Sequence, residues 1–347
     1  MPSNEVPGAL MDAEILEQPA VWRRLLEAGQ FDDAAEAIRR HEPRMVLLAA
    51  RGTSDHAALY GKYLVEVTHQ LPAGLVSPST MTAYGAKPDL RGVLMFAISQ
   101  SGGSPDLVAS LEVARAQGAL TVAVTNNPDS ELAGVAELHV DVLAGREVAV
   151  AATKSYTAQL LALYLLLDRV RGGTGAAATA LPDLGDEVLA KEAEIASLAQ
   201  RYRFASRLVS TARGYSYPTA REAALKLMET SYLSAQAFSG ADLMHGPLAM
   251  LDAQVPVLAA VADGPGGHAM RTVLSRLAES PVDVFTVGTA AAVAESTSGV
   301  VLPGQLPEEL APMLEILPFQ QLAMHLAVAR GENPDTPRGL HKVTETL

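Results

Sequence analysis

The sequence predicts an α/β protein of two domains, each built on a parallel β-sheet with helices on both faces. Three observations carry this expectation. Short apolar runs alternate with longer helical patterns along most of the chain, as strands buried on both faces do when crossover helices join them. The length, 347 residues, suits two ordinary domains, each with its own core. Finally, Ala50-Arg51-Gly52-Thr53-Ser54 returns as Ala212-Arg213-Gly214-Tyr215-Ser216, each time after an apolar run and before a helical one. That repetition points to duplication of one α/β unit.

In chain order, residues 1–40 form an N-terminal helical segment, amphipathic over 10–40 and broken early by Pro19. The first domain is expected over 41–172. Its strands are placed at 45–50, 94–98 and 120–125, and its helices at 54–69, 105–117 and 153–171. Asn126-Asn127-Pro128 closes the third strand as a turn, and 93–125 reads as one βαβ unit. Residues 173–183, rich in Gly, Ala and Thr, read as a linker. A charged helix over 184–202 opens the second domain, 184–335. Its strands are placed at 207–212, 255–261 and 282–287, and its helices at 217–233, 267–279 and 307–330. A tail covers 336–347.

Composition narrows the chemistry. A formal net charge of −13 argues against nucleic acid and anionic membrane surfaces as partners. It leaves an anionic small molecule open, because a local cluster of donors can hold a phosphate on an acidic protein. The chain has no cysteine, which removes disulfides, thiolate metal sites and thiol nucleophiles. No metal-ligand spacing occurs. The first residues carry charges and no apolar core, so no signal peptide is read there. The longest apolar run, 160–167, is too short to span a bilayer. A soluble cytoplasmic protein is the expectation.

Four segments could carry chemistry. The loop Ser99-Gln100-Ser101-Gly102-Gly103-Ser104 places hydroxyls, an amide and two glycines where a strand becomes a helix. Glycines let backbone N–H groups approach an anion, hydroxyls donate to it, and the helix N-terminus adds positive dipole. Ser104 is expected to N-cap the helix, with Pro105 at its first position. The pattern alone fits a phosphate cradle or an ordinary capped βα loop equally. Thr53-Ser54 follows a neighbouring strand, so both loops would face one crevice at the carboxyl ends of the strands, which favours the cradle. Glu222, Lys226 and Glu229 lie at i, i+4 and i+7, on one helix face. Spacing alone favours a salt-bridged surface stripe, but the apolar neighbours Ala223, Ala224, Leu225 and Leu227 suggest burial, where charges need partners. A carboxylate beside a lysine suits proton transfer at a carbon next to a carbonyl. His245, in His245-Gly246-Pro247-Leu248, sits in a turn, and residues 232–241 before it read as a small, polar loop beside a cleft. It is one of eight histidines, and the pattern assigns it no role. Nothing in the pattern singles out Lys342 in the tail.

Taken together these motifs resemble the sugar-isomerase (SIS) family, in particular the isomerase part of glucosamine-6-phosphate synthase and stand-alone deaminases of that type. The resemblance runs from about Met11 to the C-terminus. It rests on Glu14-Ile15-Leu16-Glu17-Gln18-Pro19, Arg51-Gly52-Thr53-Ser54, Ile98-Ser99-Gln100-Ser101-Gly102 and Ala152-Thr153-Lys154. It continues through Glu222-Ala223-Ala224-Leu225-Lys226-Leu227, Glu229, His245-Gly246-Pro247-Leu248 and the tail through Lys342. It implies two SIS domains, each a doubly wound parallel sheet, assembled as a homodimer. By resemblance, Ser99, Gln100, Ser101 and Ser104, with Thr53 and Ser54, bind the phosphate of a sugar phosphate. Glu229 is the base that moves a proton between the first two sugar carbons, supported by Lys226 and Glu222. His245, reaching in from the other subunit, opens the ring, and Lys342 meets the open-chain sugar. The family needs neither metal nor organic cofactor here.

Two departures follow from the same comparison. The synthase carries a glutaminase domain with an essential cysteine, and neither is found in this chain. The family's Ala-Ser-Thr-Lys is here Ala151-Ala152-Thr153-Lys154, so a sugar-contacting hydroxyl is missing at Ala152. The resemblance therefore implies an enzyme that isomerises and deaminates glucosamine 6-phosphate to fructose 6-phosphate and ammonia. One alternative is a lyase or dehydratase that takes the C2 proton of N-acetylglucosamine 6-phosphate and expels the C3 substituent. Another is a module that only senses a sugar phosphate.

Overall fold

The computed structural model describes residues 6–342. Among these, one compact unit holds 20–147, 154–179 and 341–342, and the other holds 6–19, 148–153 and 180–340. They are called the first and second unit below.

The first unit is built on five parallel strands: β1 (Met45–Ala49), β2 (Ala73–Leu75), β3 (Val93–Ser99), β4 (Leu120–Thr125) and β5 (Leu138–Asp141), in the order β2-β1-β3-β4-β5. Every residue of β3 is buried, as expected of a central strand between two helical layers. Met95, Ala97, Leu107, Leu111, Ala123 and Leu132 share one core on one side of this sheet. The helix Lys154–Val170 is buried along all but its last turn.

The second unit carries β6 (Arg207–Ala212), β7 (Ser234–Ser239), β8 (Val257–Val261), β9 (Val284–Gly288) and β10 (Ser298–Val301), all parallel, in the order β10-β9-β8-β6-β7. Counted from each sheet's own first strand, the two orders are the same. In each, the chain runs from its first strand out to an edge strand and then reverses direction, so the switch point lies between its first and third strands. Helices leave these two strands on opposite faces, so a crevice opens at their carboxyl ends. The repeated Arg-Gly-x-Ser motif falls after β1 in one unit and after β6 in the other. Gly52 and Gly214 both take positive φ, 55° and 61°. Nothing lies within 4 Å of a Cβ built on Gly52, so the backbone turn requires glycine there.

Several elements depart from expectation. The outer strands β2, β5, β7 and β10 were not anticipated. They are short edge strands, three to six residues long; β2 is only Ala-Gly-Leu and the other three carry polar residues, so they lack the long apolar run that marks an inner strand. Residues 232–241, expected as a loop, are mostly β7. The helix expected over 184–202 is two helices, Leu181–Leu189 and Glu192–Tyr202. The helix expected from Pro307 begins at Ala311, after a 3₁₀ turn at Glu308–Leu310. No helix of the described residues is long and apolar enough to cross a membrane.

The two units differ at one matched position in the motif. In the first, Gln159 Nε2 donates to Ser54 Oγ at 3.0 Å. In the second, Ser216 Oγ donates to a carboxyl group, Glu315 Oε1, at 2.9 Å, and Thr219 Oγ1 reaches its other oxygen at 3.4 Å. Glu315 is fully buried, and burial pushes its carboxyl up to about 8. The folded protein therefore holds a proton that the unfolded chain releases at ordinary carboxyl pH. Linkage then makes stability fall as pH rises from near 4.5 through about 8. Glu315→Gln should flatten that part of the pH–stability curve and stabilise the protein most above pH 8. Urea midpoints measured across this range check it, and parallel curves for the two proteins would refute it.

Candidate functional site

In the first unit, β3 ends at Ser99, which is buried, and the chain turns at once. Ser99 Oγ accepts the Gly102 N–H at 3.1 Å, and Ser101 Oγ accepts the Gly103 N–H at 3.2 Å. Gly102 has φ +67°, and a Cβ there would overlap Ser130. The Gln100 carbonyl takes the Asn126 N–H, tying the loop to the end of β4. The helix Pro105–Ala116 follows with Pro105 at its first position. Ser104 stands at the N-cap in extended conformation, but its hydroxyl makes no capping bond. The Leu107 N–H it would accept already bonds the Ser104 carbonyl at 3.1 Å. The hydroxyl expected to cap the helix is thus left on the loop.

The companion loop after β1 places Thr53 and Ser54 at the start of the helix Thr53–Leu64. A half-buried ion pair joins the loops: Arg51 donates to Asp106 through Nε at 2.8 Å and Nη2 at 2.6 Å. Asp106 is buried while Arg51 is about half exposed. Both donors converge on one oxygen, Asp106 Oδ2, in a charge-assisted contact. It holds the two hydroxyl-bearing loops at a set spacing. Both residues are charged, yet sequence reasoning missed them, because their pairing depends on which strands are adjacent.

Lys342 lies in the same unit. Its Nζ donates to Glu147 Oε2 at 2.8 Å, and Glu147 also accepts the N–H and hydroxyl of Ser155, at 3.1 and 2.8 Å. Glu147 is buried and was not singled out from the sequence. Ala152 is half-buried in the second unit, just before the helix Lys154–Val170.

The remaining expected residues lie in the second unit. Glu222, Lys226 and Glu229 share one face of the helix Tyr217–Ser231. Lys226 Nζ is 3.4 Å from Glu222 Oε1 and 2.5 Å from Glu229 Oε2. Glu222 and Lys226 are fully buried, and the Glu229 side chain is 23% exposed. The surface-stripe reading is overturned: the apolar neighbours, not the spacing, were the informative signal. The arrangement is a carboxylate held from behind by a buried ammonium, with its outer side accessible. His245 is exposed at the C-cap of the short helix Gly240–Met244. Among the described residues no cluster of three His, Asp or Glu could hold a metal ion.

Comparison with known proteins gives the family. The SIS domain matches residues 40–169 and 202–275, and the chain belongs to the SIS family. Each unit's five-stranded parallel sheet with flanking helices is the expected SIS fold. A glutamine–fructose-6-phosphate aminotransferase (isomerizing) from Gloeobacter violaceus is 35% identical over 352 residues, covering 95% of this chain and 57% of the relative. The chain thus spans little more than half the length of that relative. A crystal structure of a candidate phosphosugar isomerase from Silicibacter pomeroyi is 32% identical with a TM-score of 0.86, covering 95% of this chain and 100% of that one. The C-terminal domain of a glucosamine-fructose-6-phosphate aminotransferase from Francisella tularensis is 26% identical with a TM-score of 0.85, covering 94% and 98%.

Two stability experiments test this geometry. Gly102→Ala combines positive φ with overlap onto Ser130 and should cost about 1–3 kcal/mol in chemical denaturation. Lys226→Met strands two carboxylates and should cost about 3–5 kcal/mol. Glu222→Gln in the same chain should recover part of that loss. A double variant no more stable than Lys226→Met would show that the pair is not coupled.

Proposed function

We propose that the chain is an aminosugar-6-phosphate isomerase and deaminase, converting glucosamine 6-phosphate and water to fructose 6-phosphate and ammonia. The observation that carries this reading is the Glu229 carboxylate, partly exposed in front of the buried Lys226. A base that takes a proton from carbon needs a fixed position and access to the substrate, and this carboxylate has both.

In the proposed cycle the phosphate is held by Ser99, Gln100, Ser101 and Ser104, with Thr53 and Ser54 from the companion loop. His245, contributed by the second subunit of a homodimer, opens the sugar ring. Lys342 meets the open-chain form. Glu229 takes the C2 proton, giving an enolamine, and returns it to C1. The product is an imine at C2, and water then releases ammonia and leaves the ketone. Lys226 and Glu222 hold the base in place throughout. The phosphate contacts supply binding energy away from the reacting carbons and orient C1 and C2 against Glu229. Similarity to isomerizing aminotransferases and to a candidate phosphosugar isomerase supports the reading.

One observation favours a second reading. Ala152 stands where the family carries a hydroxyl, so the nitrogen of the substrate could differ in its acylation. An acetylated nitrogen cannot leave as ammonia. The same C2 carbanion would then expel the C3 substituent and leave an unsaturated sugar.

Proton NMR of the protein with each sugar separates these readings. Ammonia and fructose 6-phosphate from glucosamine 6-phosphate are expected. An unsaturated product from N-acetylglucosamine 6-phosphate would favour elimination, and binding of either sugar without turnover would leave a sensing module. Glu229→Gln should abolish turnover while sugar-phosphate affinity stays within a few-fold of wild type. Ser101→Ala should do the reverse, raising KM more than it lowers kcat. Mixing inactive Glu229→Gln and His245→Ala chains should restore part of the activity, and no recovery would exclude a site shared between subunits.

A further inference from the structure

The second unit has its own strand-end crevice, between the loops after β6 and β8, and the proposed function leaves it unused. Gly214 lies on one side. On the other, Gly264-Pro265-Gly266-Gly267 begins the helix Pro265–Leu277. This is the place that the Ser99–Ser104 loop and its helix occupy in the first unit. Here the hydroxyls are replaced by glycines, and the space is filled from within the chain. Glu308, in the 3₁₀ turn before the helix Ala311–Ala329, lays its carboxylate over the helix N-terminus. Its Oε1 accepts the N–H of Gly266 at 2.8 Å and of Gly267 at 3.2 Å.

We propose that this crevice is an anion site occupied by the chain's own Glu308 carboxylate, so that the wild-type protein takes a phosphorylated ligand only in the first unit. The inference rests on reading the first unit's loop as a phosphate cradle. Three glycines border the carboxylate. A Cβ on Gly264 would overlap Glu308 Oε2, one on Gly266 would lie 2.5 Å from Oε1, and one on Gly214 would lie 3.9 Å from it. Gly264 and Gly214 also have positive φ, 153° and 61°. The geometry is therefore that of a backbone cradle closed on one carboxylate oxygen, with two successive N–H donors and a helix of thirteen residues behind them. An ordinary helix start needs only a neighbouring side chain as its cap. This one takes its acceptor from 41 and 42 positions away in sequence.

Of the charged groups around the carboxylate, His268 attracts it and Glu309 repels it. Burial holds the Glu308 carboxyl above its ordinary range, and the two backbone N–H donors act against that shift. The crevice thus keeps its donors for an anion and supplies one that cannot diffuse away. Cutting the side chain back to its Cβ vacates a space close to that of an inorganic phosphate.

The test is phosphate stoichiometry by isothermal titration with inorganic phosphate on the full chain. Glu308→Ala should bind one more phosphate per chain than wild type. Glu308→Gln keeps the shape and the acceptor oxygen, so it should bind no more than wild type. The increment tests this inference and the wild-type total tests the reading of the first loop, so the two fail separately. An unchanged count in Glu308→Ala would overturn the proposal. So would the same gain in Glu308→Gln, since loss of surface charge alone would then explain it. If Glu308→Ala does not fold in phosphate-free buffer, refolding should be restored by phosphate and not by an equal ionic strength of chloride. Failure of that rescue would also overturn it.

Discussion

A buried ammonium fixes the candidate site. Lys226 is fully enclosed, and taking such a charge out of water costs several kcal/mol before any partner is counted. Glu222 and Glu229 supply the partners at 3.4 and 2.5 Å. The helix that carries all three must therefore stay in one place along its length. Its last turn is held by Thr230 Oγ1, which donates to the Lys226 carbonyl at 2.8 Å and approaches the Ala323 carbonyl at 3.3 Å. It ends at Tyr232, a non-glycine residue at φ 53°. That conformation costs about 1–2 kcal/mol. Arg338 stacks on the Tyr232 ring with its guanidinium 4.0 Å from the centroid, and the Arg338 backbone N–H donates to the Tyr232 hydroxyl at 2.8 Å. The strained end of the helix thus anchors the approach to the C-terminal tail.

The inner architecture was legible because inner strands of a parallel sheet are apolar on both faces. Residues 120–125 and 207–212 were placed with the bounds that the structure has, and β3 within one residue at each end. Edge strands were not legible. β7 reads Ser-Ala-Gln-Ala-Phe-Ser, half-buried against one neighbour, and a polar loop has the same composition. At the site, local signals carried well. Gly102, Pro105 and the face shared by Glu222, Lys226 and Glu229 follow from spacing and backbone rules. Burial of that face had to be inferred from its neighbours. The pairs Arg51–Asp106 and Glu147–Lys342 could not be read at all. Each joins residues far apart in sequence, and single-residue chemistry does not say which strand ends meet.

Duplication explains why the two units match in topology and differ in polarity. A parallel sheet in this order creates a strand-end crevice whatever its sequence, so both copies inherit one. What each crevice attracts depends on a few side chains. In the first unit the loop carries hydroxyls and an amide, and Ser54 is matched by the neutral Gln159. In the second the corresponding serine meets the Glu315 carboxyl, and Glu308 caps the loop.

The two crevices thus differ in charge at their donors. Two unit charges about 4 Å apart near a protein surface interact by about 4 kcal/mol. A dianionic phosphate entering the second crevice would meet Glu308 at its best donors, and the buried Glu315 behind it once ionised. It would have to displace the first and compete with its hydrogen bonds to Gly266 and Gly267. Beside the hydroxyl loop of the first unit, the Asp106 carboxylate is matched by Arg51 at 2.6 Å. Discrimination between two crevices of the same topology thus needs no difference in fold. It follows from placing an internal anion in one and leaving hydroxyl donors in the other.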